Sequence, residues 1–96
     1  MFEKENRYIT RAVLDVVPIE INLLLYDLID ELTIEKDYLQ IFELVPHEEI
    51  LEIIHKQEIP EFTCKFIVRN IGIEKSMKIY VIDSGDYSTM MLSSEY

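Results

Sequence analysis

One segment of this chain repeats its apolar residues at the pitch of an α-helix, and the patterned segments after it read as strands. Ile21, Leu24, Leu25, Leu28 and Leu32 recur at helical spacing, and Ile29 widens the stripe. Pro18 suits a first helical turn, because its φ is already fixed and its missing N–H is not needed there. Glu20 lies in the same turn, where the dipole favours negative charge. The spacing predicts a helix from Pro18 to about Thr33, with Glu20, Asp27, Asp30 and Glu31 on its polar side. The helix end lacks glycine and carries Asp30 and Glu31, which the dipole disfavours; Lys36 softens this.

A single amphipathic helix must bury its stripe against something, and the rest of the chain supplies strands. Arg7–Val13 reads as a strand with mixed faces, suited to an edge or second-from-edge position. Tyr38–Val45 is apolar on both faces and reads as a central strand, stopped by Pro46. Ile50–Gln57 reads as a strand, though Leu51, Ile54 and His55 also permit a short helix. Glu58-Ile59-Pro60-Glu61 marks a turn. Phe62, Cys64, Phe66 and Val68 then alternate with Thr63, Lys65, Ile67 and Arg69, the pattern of a half-buried antiparallel strand. Lys78–Asp83 is a further strand, and Thr89–Leu92 a short last strand or packed tail. The expected class is α+β: one amphipathic helix packed on a mixed or antiparallel sheet of about five strands, residues 1–96 forming a single domain.

Charge narrows the partners. Between Asp15 and Glu61 the chain carries 13 acidic side chains against Lys36 and Lys56, so nearly all of its net charge of -10 comes from a segment patterned to fold. Such a surface disfavours direct contact with nucleic-acid phosphates and with anionic membranes. It suits a basic protein partner, because opposed potentials speed encounter. No apolar run is long enough to span a bilayer, and the first residues lack a basic start followed by an apolar core. Cys64 is the only cysteine, which excludes an internal disulfide and fits a reducing, cytoplasmic setting.

Few residues carry a chemical pattern. His47 and His55 have no cysteine near them, so a structural zinc site is poorly supported; His55 reads as a partly buried structural histidine and His47 as a solvated loop residue. Asp83-Ser84-Gly85-Asp86-Tyr87-Ser88-Thr89 concentrates carboxylates and hydroxyls around a glycine. Asp83, Ser84 and Asp86 form a candidate polar loop site, because clustered oxygens can hold Mg²⁺ or Ca²⁺. The simpler reading is a tight turn, and the segment is too short for an EF-hand loop. With Gly72 and Gly85 the only glycines, no phosphate-cradling loop is present, and Ser84-Gly85 does not match a nucleophile elbow. No catalytic residue, metal ligand or cofactor site is assigned. Tyr26, beside the helix stripe, joins Asp27, Asp30 and Glu31 as the candidate interaction residues, an aromatic anchor among carboxylates.

Several blocks together resemble a family of small staphylococcal proteins of unknown function, also found in related Gram-positive bacteria. The resemblance runs through Arg7-Tyr8-Ile9-Thr10-Arg11, the acidic helix, Asp37-Tyr38-Leu39-Gln40-Ile41-Phe42-Glu43-Leu44 and His55-Lys56-Gln57-Glu58-Ile59-Pro60. It continues through Ile79 to Leu92 and Glu95-Tyr96, and so covers most of the chain. It implies a small intracellular single-domain protein and carries over no activity and no catalytic residue. The family pattern often has Gly where this chain has Ala12 and Trp where it has Tyr26; Tyr26 keeps an aromatic with a polar tip.

The leading functional expectation is a noncatalytic interaction protein with an acidic surface. Two alternatives differ in class: a small metal-binding protein or enzyme centred on Asp83 and Asp86, and an acidic mimic of nucleic acid acting on a DNA-binding protein. A homodimer through an edge strand or the apolar helix border is a further expectation, opposed by the negative charge unless the acidic faces turn away.

Overall fold

A computed structural model describes residues Met1–Tyr96. It contains strands β1 (Arg7–Ile9), β2 (Leu39–His47), β3 (Ile50–Gln57), β4 (Phe62–Arg69), β5 (Met77–Asp83) and β6 (Ser88–Leu92), with helices α1 (Arg11–Val16) and α2 (Ile19–Asp30). The strands form one six-stranded sheet in the order β1-β6-β5-β2-β3-β4. Every pairing is antiparallel except β1 with β6, which is parallel. The expected helix-on-sheet architecture holds, with β2 central and β1 at an edge.

The first strand is shorter than its composition suggests. Arg11, Ala12 and Val13 belong to α1. Thr10 ends the strand and caps the helix: its N–H donates to the Met90 carbonyl at 3.0 Å, and its Oγ1 accepts the Val13 N–H at 3.3 Å. α2 starts at Ile19, after Pro18, and stops at Asp30, short of the expected Thr33. Its last turn holds no basic residue, and Arg7 draws the Asp30 carboxylate into an ion pair. Pro46 sits inside β2 and does not stop it. Pairing with β5 ends at Leu44, so one side of the strand is open at Pro46, which pairs with Leu51 on the other.

The core lies between the helices and one face of the sheet. Val13, Val17, Ile21, Leu25 and Ile29 descend from the helix layer onto Phe42, Leu44, Leu51, Ile53, Ile79, Val81 and Met90, all nearly or wholly buried. The sheet residues come from alternate positions, and the register places them side by side: Phe42 lies opposite both Ile79 and His55, and Leu44 opposite Ile53. Truncating Phe42 to alanine would cost about 3–5 kcal/mol of transfer and cavity energy. The other sheet face has no α-helix over it; the final turn reaches it where Tyr96 meets Tyr80 edge-on at 5.6 Å. This face carries Ile41, Ile54, Ile67 and Tyr80 between ion pairs of Lys56 with Glu43 at 2.7 Å and Lys65 with Glu52 at 3.4 Å.

The first residues are tied down as well. Phe2 is buried, and its carbonyl accepts from Arg7 Nε at 3.0 Å and Nη2 at 2.8 Å. The same guanidinium binds Asp30 and lies 4.7 Å from the centre of the Tyr26 ring, a cation–π contact.

Candidate functional site

The outer side of the two helices is apolar as well as acidic. Leu14, Val16, Ile19 and Leu23 are 48%, 46%, 48% and 56% exposed, which is high for aliphatic side chains. Ile19, Leu23 and Asp27 are four residues apart along α2 and share one ridge of it. Leu14, Val16 and Ile19 line a shallow hollow with Asp15, Pro18 and Gly72. Asp15, Glu20 and Asp27 stand exposed among these apolar groups, and Arg11 is the one basic side chain on either helix. Exposed apolar and acidic side chains thus lie side by side, with Lys75 and Glu74 bordering Asp15 and Val16.

The four expected interaction residues divide on this surface. Asp27 and Glu31 are exposed. Asp30 is held by Arg7. Tyr26 is not on the surface: it is 3% exposed, and its hydroxyl donates to the Tyr8 carbonyl at 3.0 Å. Burial pushes that hydroxyl above the ordinary tyrosine range, which keeps the proton on the oxygen. Tyr26 therefore clamps α2 to β1 and leaves outside contacts to its neighbours. The sequence gives little sign of Leu14 and Val16 as surface residues, because Arg11–Val16 has no helical stripe; Thr10 ahead of it is the one cap signal.

The Asp83–Asp86 segment is the β5–β6 hairpin turn. Ser84 N–H donates to the Tyr87 carbonyl at 2.8 Å, and Gly85 takes a φ of +101°, a conformation that favours glycine. No group of three or more His, Cys, Asp or Glu side chains that could hold a metal ion comes together in the molecule.

A second polar cluster lies inside the far half of the sheet. His55 is 1% exposed, stacked on Phe42 at 4.3 Å and met edge-on by Phe62 at 5.4 Å. Burial pushes its pKa from 6.5 down to about 4, so the ring is neutral at pH 7. Its Nε2 lies 2.6 Å from Gln40 Oε1, and Gln40 Nε2 donates to Gln57 Oε1 at 2.7 Å. Gln57 and Gln40 are buried, although Gln57 reads in the sequence as the end of a strand entering a turn. Beside the ring is a cleft of about 150 Å³ lined by Leu28, Leu32, Ile34, Phe62 and Phe66, with Glu31, Thr33 and His55.

No helix of the molecule is long and apolar enough to cross a membrane. Among solved structures, the chain is similar to the crystal structure of a protein of unknown function from Enterococcus faecalis. The two share 20% sequence identity with a TM-score of 0.79, over 100% of this chain and 98% of the other. That likeness shows a shared fold. A search of curated proteins finds no match. A family model described as staphylococcal protein of unknown function (DUF960) matches residues 6–95, and the chain belongs to that family.

Proposed function

Membership of that family assigns no activity; we propose that this chain is a noncatalytic protein-interaction domain. Its ligand is a basic amphipathic segment of a partner protein, taken up by the outer side of α1 and α2. The observation that carries this reading is the exposure of Leu14, Val16, Ile19 and Leu23 among Asp15, Glu20 and Asp27. Contiguous exposed apolar groups mark contact surfaces more often than bare solvent faces. A partner helix with Leu or Ile on one side and Lys or Arg flanking them would bury the first against Ile19 and Leu23. Its basic groups would then face the carboxylates, which favours encounter and excludes acidic competitors.

The test is a titration of the ¹⁵N-labelled protein with a synthetic helical peptide of leucines and lysines, beside its leucine–glutamate counterpart. The basic peptide is expected to shift amides of Leu14–Asp27 and the acidic one to leave them unmoved. Leu23→Ser, at a largely exposed position, should weaken binding about tenfold while lowering Tm by only a few degrees. Equal response to both peptides, or shifts confined to the open sheet face, would overturn the proposal.

A further inference from the structure

The hydrogen bonds around His55 form a chain in which each amide has only one workable orientation. Gln57 Nε2 lies 2.9 Å from two carbonyl oxygens, those of Glu35 and Pro60, so this atom must be the NH₂ group. Gln57 Oε1 is then the acceptor for the Asp37 N–H at 3.1 Å and for Gln40 Nε2 at 2.7 Å. Gln40 Nε2 gives its other proton to the Asp37 carbonyl at 2.9 Å. Gln40 Oε1 therefore faces His55 as an acceptor, and His55 Nε2 must carry the ring proton. In the neutral ring this leaves Nδ1 as a bare lone pair. It is buried and has no hydrogen-bond partner. Such an acceptor, without a donor in an apolar setting, is costly to maintain.

The ring also lines the apolar cleft formed by Leu28, Leu32, Ile34, Phe62 and Phe66. We propose that this cleft is a binding site for a small, mainly apolar molecule that presents one O–H or N–H donor to His55 Nδ1. The cleft is partly open to solvent and its volume of about 150 Å³ limits an occupant to the size of a phenol or a short alcohol. The walls supply dispersion contacts, and the lone pair selects for the donor. Anions are disfavoured, because Glu31 stands on the rim and the imidazole is uncharged. Nδ1 itself has no open surface. The donor reaches it only if part of the cleft wall shifts, and Leu32–Ile34 are the wall residues that belong to no helix or strand. The site is separate from the outer helix face proposed for a partner protein, and either can fail without the other.

Phenol, anisole and benzene serve as probes, titrated into the ¹⁵N-labelled protein at pH 7 with the imidazole nitrogens observed. Phenol is expected to shift the amides of Thr33, Ile34 and Phe62, and to move the Nδ1 resonance away from the position of a bare lone pair. Anisole has the same ring with the donor removed and should bind roughly tenfold or more weakly. Ile34→Trp, at the rim, should abolish phenol binding while leaving Tm unchanged. Equal affinity for phenol and anisole, or no shift at Nδ1, would refute the site. So would an Nδ1 resonance that already reports a hydrogen bond before any ligand is added.

Discussion

His55 ties the stability of the fold to pH. In the folded chain its pKa is pushed down to about 4, whereas the unfolded chain offers an imidazole near 6.5. The unfolded state therefore binds the proton more readily, and the contribution of the neutral ring is complete above pH 6.5. It is lost as pH falls from there toward 4. Urea unfolding at pH 7 and pH 5, both above the ordinary carboxylate range, is expected to show a loss of about 2 kcal/mol on acidification. His55→Phe, which keeps a ring against Phe42, should remove most of that slope; a slope unchanged in the variant would assign the effect elsewhere. The sequence indicates that His55 is structural, because it alternates with Leu51 and Ile53. It does not indicate that Gln40 and Gln57 are its partners. That depends on β2 pairing with β3 in one register, with Phe42 opposite His55, and the composition of either strand is silent about register.

The element most dependent on one side chain is α1. Six residues are too few to hold a helix by themselves, so its start rests on Thr10. Thr10 Oγ1 accepts the Val13 N–H and donates to Glu95 Oε1 at 2.8 Å, which joins the cap to the last turn of the chain. Thr10→Ala should cost about 1 kcal/mol, seen as a Tm lower by roughly 4–8 °C in thermal unfolding. Thr10→Ser, which keeps the oxygen, should recover most of it. The clearest elements in the sequence were those whose periodicity persists. α2 was found by its stripe, and β4 by its alternation from Phe62 to Arg69. α1 was not, because it buries Val13 alone and so has no stripe to read. By propensity the Arg7–Val13 run reads as one strand, and tertiary context overrides propensity there. The exposed Leu14 and Val16 are hidden with it, whereas Asp27 and Glu31 are legible from the helix period.

At the scale of the molecule, charge and size set the response to salt. The net charge of -10 is carried on a body of 36 × 27 × 22 Å. At about 0.01 M salt the screening length is about 30 Å, so the carboxylates repel one another across the whole molecule; at about 0.15 M it falls to about 8 Å. Raising salt over that range is expected to raise Tm, because self-repulsion opposes the compact state. A fall in Tm would mean that the pairs of Arg7 with Asp30, Lys56 with Glu43 and Lys65 with Glu52 outweigh the repulsion.

The parallel rung between β1 and β6 gives the chain an order of events. Arg7, Tyr8 and Ile9 find their strand partners in Ser88, Thr89 and Met90. During synthesis the β2–β3–β4 meander can close from neighbouring segments as each emerges. The first strand has to wait for the last, and with it waits the clasp of Thr10 on Glu95. A nascent chain halted before Ser88 would hold its sheet open at the β5 side and leave Arg7–Ile9 unpaired, a handle for a chaperone or a protease. The emergence of β6 is then the event that shuts the fold.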